Sequence, residues 1–180
     1  NGNYVVSTAN WDNGLLVNAG AATWGNGLSG VFGPVSSANS LVGTTAEDQV
    51  ASVGVVALTN GNYVVISRLW NNGVTADVGA VTWGNGFTGI KGPVTTANSL
   101  TGTTENDLGG TSYVTALSNG HYVVNSPFWD NGPVTDVGAA TWGNGFTGIR
   151  GPVTAANSLI GVTPDDRVGS SGVIALSNGH

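Results

Sequence analysis

The 180-residue sequence contains no cysteine and no methionine, and only four of its residues are lysine or arginine. Without thiols, disulfides and thiolate metal sites are excluded. Four basic side chains cannot build the positive footprint that a phosphate backbone demands, so neither nucleic acid nor an anionic membrane surface is an expected partner. No apolar run approaches the roughly 18 residues of a membrane-spanning helix, and no membrane insertion is expected. The missing Met at position 1 suggests a processed chain or a piece of a longer one. What the chain does have is thirty glycines, 40% hydrophobic residues, only 8% charged residues and a net charge of -6, the composition of a folded rather than a disordered chain.

The glycines belong to a repeat. "NGNYVV" starts at Asn1 and again at Asn60, "NGHYVV" at Asn119, and "NGH" at Asn178, a period of 59 residues without slippage. Trp11, Trp70 and Trp129 fall in phase, as do Trp24, Trp83 and Trp142, and Asp48, Asp107 and Asp166. The chain reads as one repeat domain of three copies, 1–59, 60–118 and 119–177, with 178–180 the stub of a fourth.

In the third copy, Gly172 to Ser177, His121 to Ser126, Val137 to Trp142 and Val153 to Leu159 are short, rich in β-branched residues and bounded by turn residues. No apolar period of 3.6 residues persists without Gly or Pro interrupting it, so no helix is expected. Each copy carries three Asn-Gly pairs, in the third Asn119-Gly120, Asn131-Gly132 and Asn144-Gly145, and Asn-Gly is the strongest two-residue hairpin signal. Three turns joining four strands predict a meander, and its repetition predicts an all-β fold: a β-propeller of 59-residue, four-stranded antiparallel blades, three per chain. Threefold β-prism and trefoil folds are the rivals. Three blades are too few to close a ring, so closure is expected from a homo-oligomer, first a six-bladed dimer, with a trimer or a longer array as alternatives. In that reading the blade strands are permuted, and residues 172–177 complete the blade begun by residues 4–44, in a partner chain where the ring is an oligomer.

Three segments carry a resemblance. "DRVGSSGVIALSNGH" from Asp166, "YVVNSPFWDNG" from Tyr122 and "VGAATWG" from Val137 fall in the order of the FG-GAP repeat of integrin α-subunit propellers and their bacterial relatives. Asp166-Arg167-Val168-Gly169 resembles that family's Asp-Arg-Phe-Gly, and Ser126-Pro127 stands where Ala-Pro would be. Near-identical tandem units of this kind also resemble repeat regions of large bacterial surface proteins of the haemagglutinin or adhesin type. The resemblance implies a secreted or cell-surface location. It does not carry calcium over: the calcium loop of FG-GAP repeats needs several carboxylates, whereas "LSNGH" and "LTNGN" have none, and these hairpins are expected to hold no metal.

Other apparent motifs read as turn chemistry. "GNGFTG" at Gly143 to Gly148 matches a dinucleotide fingerprint but is followed by Gly151-Pro152 and a strand, not by the helix that would receive a pyrophosphate, so no cofactor is expected. His121 and His180 occupy a position held by Asn3 and Asn62, with no recurring nucleophile nearby, and no catalytic residue is assigned. The pairs Glu47-Asp48, Asn106-Asp107 and Asp165-Asp166 share their second Asp, which is expected to accept backbone N–H bonds in a tight turn. The remaining candidates are the turns Trp11-Asp12-Asn13, Trp70-Asn71-Asn72 and Trp129-Asp130-Asn131. Trp beside Asp and Asn is a lectin-like arrangement that stacks on and hydrogen-bonds to sugars; the competing reading has each Trp pinning its turn against the neighbouring blade. The expected function is a non-enzymatic structural or adhesion module that self-assembles, with surface proteins or glycans as further partners. A carbohydrate-binding propeller using the WDNG turns is the alternative.

Overall fold

The structure, a computed structural model, describes residues 2–109 and 113–177; the stub 178–180, with His180, lies outside the described residues. Gly54–Ala57 (β4), from the end of the first repeat, joins Tyr63–Ser67 (β5), Ala80–Gly84 (β6) and Ser99–Thr101 (β8) of the second in an antiparallel meander. The same meander recurs with Tyr113–Ala116 (β9), from the end of the second repeat, beside Tyr122–Ser126 (β10), Ala139–Gly143 (β11) and Ser158–Ile160 (β13) of the third. The first supplies Tyr4–Thr8 (β1), Ala21–Gly25 (β2) and Ser40–Val42 (β3). Two further short strands, Gly92–Pro93 (β7) and Gly151–Pro152 (β12), leave their own repeats and pair in parallel with β3 and β8 of the preceding one. Among the described residues the chain is therefore all-β, with thirteen strands in three sheets.

Two expectations need correction. Residues 172–177 form no strand: the segment is unpaired, with Ile174 and Leu176 exposed, because no strand of the described residues lies beside it. The Asn-Gly pairs also do not all join neighbouring strands. Those at Asn60 and Asn119 do, connecting β4 to β5 and β9 to β10, but Asn72 and Asn131 lie in small bridged turns within the long β5–β6 and β10–β11 connections. Asn85 and Asn144 open the links that make the Gly-Pro excursion. The excursion ties the three-residue strands β3 and β8 to the repeat that follows, a use of Gly-Pro that strand periodicity does not reveal.

The middle sheet is covered on both faces, which explains the unbroken apolar run Tyr63–Ile66 in place of alternation. Tyr63, Val65, Trp70 and Ala80 pack toward the first repeat, against Ala22, Leu41 and Val50. Val64, Val81 and Leu100 pack toward the third, against Tyr122, Val124 and Ala139. Within each sheet Tyr4, Tyr63 and Tyr122 lie opposite Gly25, Gly84 and Gly143, and a Cβ at any of these glycines would run into the tyrosine ring. Burial pushes the Tyr122 phenol up to about 12. Tyr63 is raised for the same reason, although its oxygen accepts the Ile90 amide.

Close approach between repeats depends on glycine at one position per junction. Gly89 and Gly148, both at positive φ, lie against Trp24 and Trp83 of the preceding repeat, and a Cβ on Gly148 would sit 2.8 Å from Trp83 Cβ. Gly132 has positive φ too, but open space around it.

Gly148→Ala and Gly132→Ala therefore share a left-handed backbone cost of about 1–2 kcal/mol. Only the former forces the repeats apart, which adds about 1–3 kcal/mol of overpacking. Urea midpoints measured on the two variants are expected to differ in that direction, and equal midpoints would contradict the close packing. A second expectation concerns alkali. A phenol whose folded pKa lies above its unfolded value contributes stability that is complete below the unfolded pKa and is lost as pH rises through the folded one. For Tyr122 that window runs from pH 10.0 to about 12. Tyr122→Phe should flatten the fall in urea midpoint across this window.

Candidate functional site

The polar residues singled out by sequence converge on the junctions between repeats. At the first junction the carboxylate of Asp48, 0% exposed, accepts hydrogen bonds from the amides of Thr44 and Thr45, from the Thr45 hydroxyl, and from the backbone and side-chain nitrogens of Asn71 in the next repeat. At the second, Asp107 accepts from the amides of Thr103 (2.6 Å) and Thr104 (2.9 Å), from both their hydroxyls, and from the Asp130 amide at 3.0 Å. The shared Asp is thus a turn acceptor, and its reach extends into the following repeat. A buried carboxylate is tolerated because these donors replace its water shell.

The WDNG turn is the other half of the same clamp. Asn71 Oδ1 accepts the Asp77 amide, and Asp130 Oδ1 the Asp136 amide, while Asp12 Oδ1 does the same for Asn18. Where Asn71 donates to Thr45 Oγ1, Asp130 has no hydrogen to give; its Oδ2 lies 3.0 Å from Thr104 Oγ1 and competes with Asp107 Oδ1, at 2.7 Å, for the single hydroxyl hydrogen. Asn13, Asn72 and Asn131 form bridged turns with Leu16, Thr75 and Val134, and Asn13 Nδ2 donates to the Gly43 carbonyl.

The tryptophans of these turns face inward. Trp70 and Trp129 are 4% and 3% exposed and belong to the cores of the first and second junctions, and neither indole presents a face on which a sugar could stack. Trp11, in the repeat that has no predecessor among the described residues, is half-buried. The competing expectation, Trp as a pin against the neighbouring repeat, describes their place. The second set does similar work: Trp24 Nε1 donates to the Gly86 carbonyl and Trp83 Nε1 to the Gly145 carbonyl, each in the next repeat. His121 stands in for asparagine. Its Nδ1 accepts the Gly145 amide as Asn62 Oδ1 accepts Gly86 and Asn3 Oδ1 accepts Gly27, and its ring lies 4.8 Å from that of Trp142.

Residues before the shared Asp vary for a backbone reason. Glu47, Asn106 and Asp165 have φ of 64, 66 and 63, the left-handed region that Asn and Asp enter most readily. Asp166, in the last repeat, accepts the Thr163 hydroxyl and the Thr163 and Val162 amides, and these bonds hold its carboxyl below the usual range.

Repeat symmetry breaks most clearly in a groove of about 530 Å³ lined by Glu105, Asn106, Phe128, Asp130, Thr135 and Asp136. Arg167 pairs with Asp136 at 3.3 Å and Asp165 at 2.8 Å and lies 5.3 Å from the Phe128 ring centre. Of the carboxylates that line it, Asp130 accepts the Asp136 amide and Asp136 pairs with Arg167. Among the described residues no three His, Cys, Asp or Glu side chains converge to hold a metal ion.

Asp107→Ala would strand the amides of Thr103, Thr104 and Asp130 in the junction. At about 1–3 kcal/mol for each buried donor left without a partner, the variant should lose about 3 kcal/mol or more in chemical denaturation. Asp166→Ala should lose less, since water can reach the same donors. Equal losses at the two positions would show that the cross-repeat bond contributes nothing.

The three repeats match one family model, a repeat of unknown function (DUF5650), over residues 1–52, 57–111 and 116–170. No curated protein and no solved structure matches the chain. The likeness to FG-GAP repeats rests on the sequence motifs alone. By the match over nearly its whole length, the chain belongs to the DUF5650 repeat family.

Proposed function

We propose that this chain is a non-enzymatic structural module, an arc of a propeller-like stack, serving as a scaffold or adhesive element of a bacterial surface or secreted protein. The propeller reading is supported by the way the first strands of two successive meanders, β4 and β9, come together, as inner strands do around an axis.

One observation carries the functional reading: each repeat turns its polar groups inward and its apolar loop tips outward. The shared Asp, the Asx of the WDNG turn and the Asn or His before the second strand bond the next or the same repeat, so these recurring polar side chains are engaged in holding turns and junctions. From one loop position Leu28, Phe87 and Phe146 project at 97%, 68% and 57% exposure. Their amides bond Asn26, Asn85 and Asn144, so the loops are held in one shape. A row of apolar tips at repeat spacing is suited to a protein or cell surface, which rewards many weak contacts by avidity.

Cells displaying the chain should adhere to protein-coated surfaces. The triple variant Leu28→Ser, Phe87→Ser and Phe146→Ser should lose most of that adhesion at unchanged melting temperature. Undiminished adhesion by the triple variant, or none by the parent, counts against this function.

A further inference from the structure

The front of the first repeat and the back of the third expose the residues that are buried at the internal junctions. At the internal junctions Leu41 and Leu100 are 0% exposed beneath the next repeat, whereas Leu159, at the same position in the third, is 70% exposed. Tyr122 and Tyr63 are buried beneath the preceding repeat, whereas Tyr4 is 42% exposed. The polar parts match as well. Asp166 and Thr163 present the acceptors and hydroxyl that Asp107 and Thr104 use at the second junction, and Asp12 is the counterpart of Asp130. Gly30, at positive φ, is the counterpart of the glycines that rest on Trp24 and Trp83, and Trp142 is half exposed.

A cavity of about 230 Å³ opens beside the first repeat. It lies between the first two repeats, lined chiefly by Tyr4, Val5, Trp24, Val55, Ala57 and Tyr63. One junction further on, the counterparts Val64, Trp83, Val114, Ala116 and Tyr122 enclose Leu58, which is 4% exposed. Leu58 follows β4, the strand beside β5. The residues at the end of the third repeat that correspond to β4 and Leu58 are Gly172–Ala175 and Leu176, while the open edge of β1 has no such strand next to it among the described residues.

We propose that two copies of this chain join head to tail through a junction built like the internal ones. Residues 172–177 of one copy add as an antiparallel strand to β1 of the other, and Leu176 enters the cavity between that copy's first and second repeats. The occupant is a second copy because every contact is already made twice within the chain. The register follows from β4 on β5 and β9 on β10: Ala175 opposite Tyr4, Ile174 opposite Val5, Val173 opposite Val6. Alternation then puts Ile174 and Leu176 on the cavity side and Val173 toward the third repeat of its own copy. Such a contact is heterologous, so it closes into a ring or extends into a filament according to the rotation per repeat. Two copies closing a six-repeat ring bury both faces. The inference rests on the stacking part of the proposed function and is independent of adhesion.

The test uses the 180-residue chain itself. Light scattering should give a finite species at twice the 18.0 kDa chain mass. Leu176→Asp, and truncation after Ser171, should each return it to the monomer with the β-sheet circular dichroism retained. Because the chain has no cysteine, strand placement can be read by mixing a Val5→Cys chain with an Ile174→Cys chain under oxidation. A crosslinked dimer is expected, and a much weaker one from Val5→Cys with Val173→Cys. A monomer at all concentrations overturns the proposal. So does an oligomer indifferent to truncation and crosslinked equally by both pairs, which would leave self-association intact but place it elsewhere. Loss of adhesion alone, with assembly unchanged, would count against the adhesive role and not against this junction.

Discussion

The stack depends on one buried carboxylate per junction. Asp48 and Asp107 bond their own turn and the next repeat at once, so the turn's geometry and the neighbour's position are set by the same two oxygens. Taking a carboxylate out of water is costly, and the site is stable only when all its donors are in place. That all-or-none requirement couples one repeat to the next more specifically than apolar contact does. Aspartate is short enough to reach the amides three and four residues before it while its other oxygen faces outward to the successor.

Around that clamp the apolar contacts arrange themselves with a direction. Each repeat has a front that carries the tyrosine and the glycine loop, and a back that carries the leucine of the fourth strand and the tryptophan of the third. Because front and back differ, repeats add in one sense only. Stability then takes the form of a sum over repeats and nearest-neighbour junctions, as in solenoid proteins. The short Gly-Pro strands reinforce the direction, since each pairs only with the repeat before it.

Much of this was legible in the sequence because repetition turns single residues into patterns. The 59-residue period, the all-β class, the second and third strands of each repeat and the turn role of the shared Asp can be argued from residues in phase. So can the equivalence of His121 with Asn62, since both occupy one turn position and accept one amide. The Gly-Pro strands were not legible: two residues carry no period, and their partner lies in another repeat. The direction in which the tryptophans face was open for a related reason. Trp beside Asp and Asn suits a sugar site and a junction pin equally well, and which side of the sheet the indole takes is set by what packs there.

Sequence by itself determined the unit, its length, its turns and the residues that recur, because backbone preferences and β-branched runs are local properties. It also marked residues 172–177 as a strand in composition. Tertiary structure alone decided that this strand goes unpaired within the described residues, that Asp48 and Asp107 bond forward, and that Trp70 and Trp129 are buried. Each of those outcomes depends on a surface contributed by a different repeat, and no local preference encodes where that surface will be.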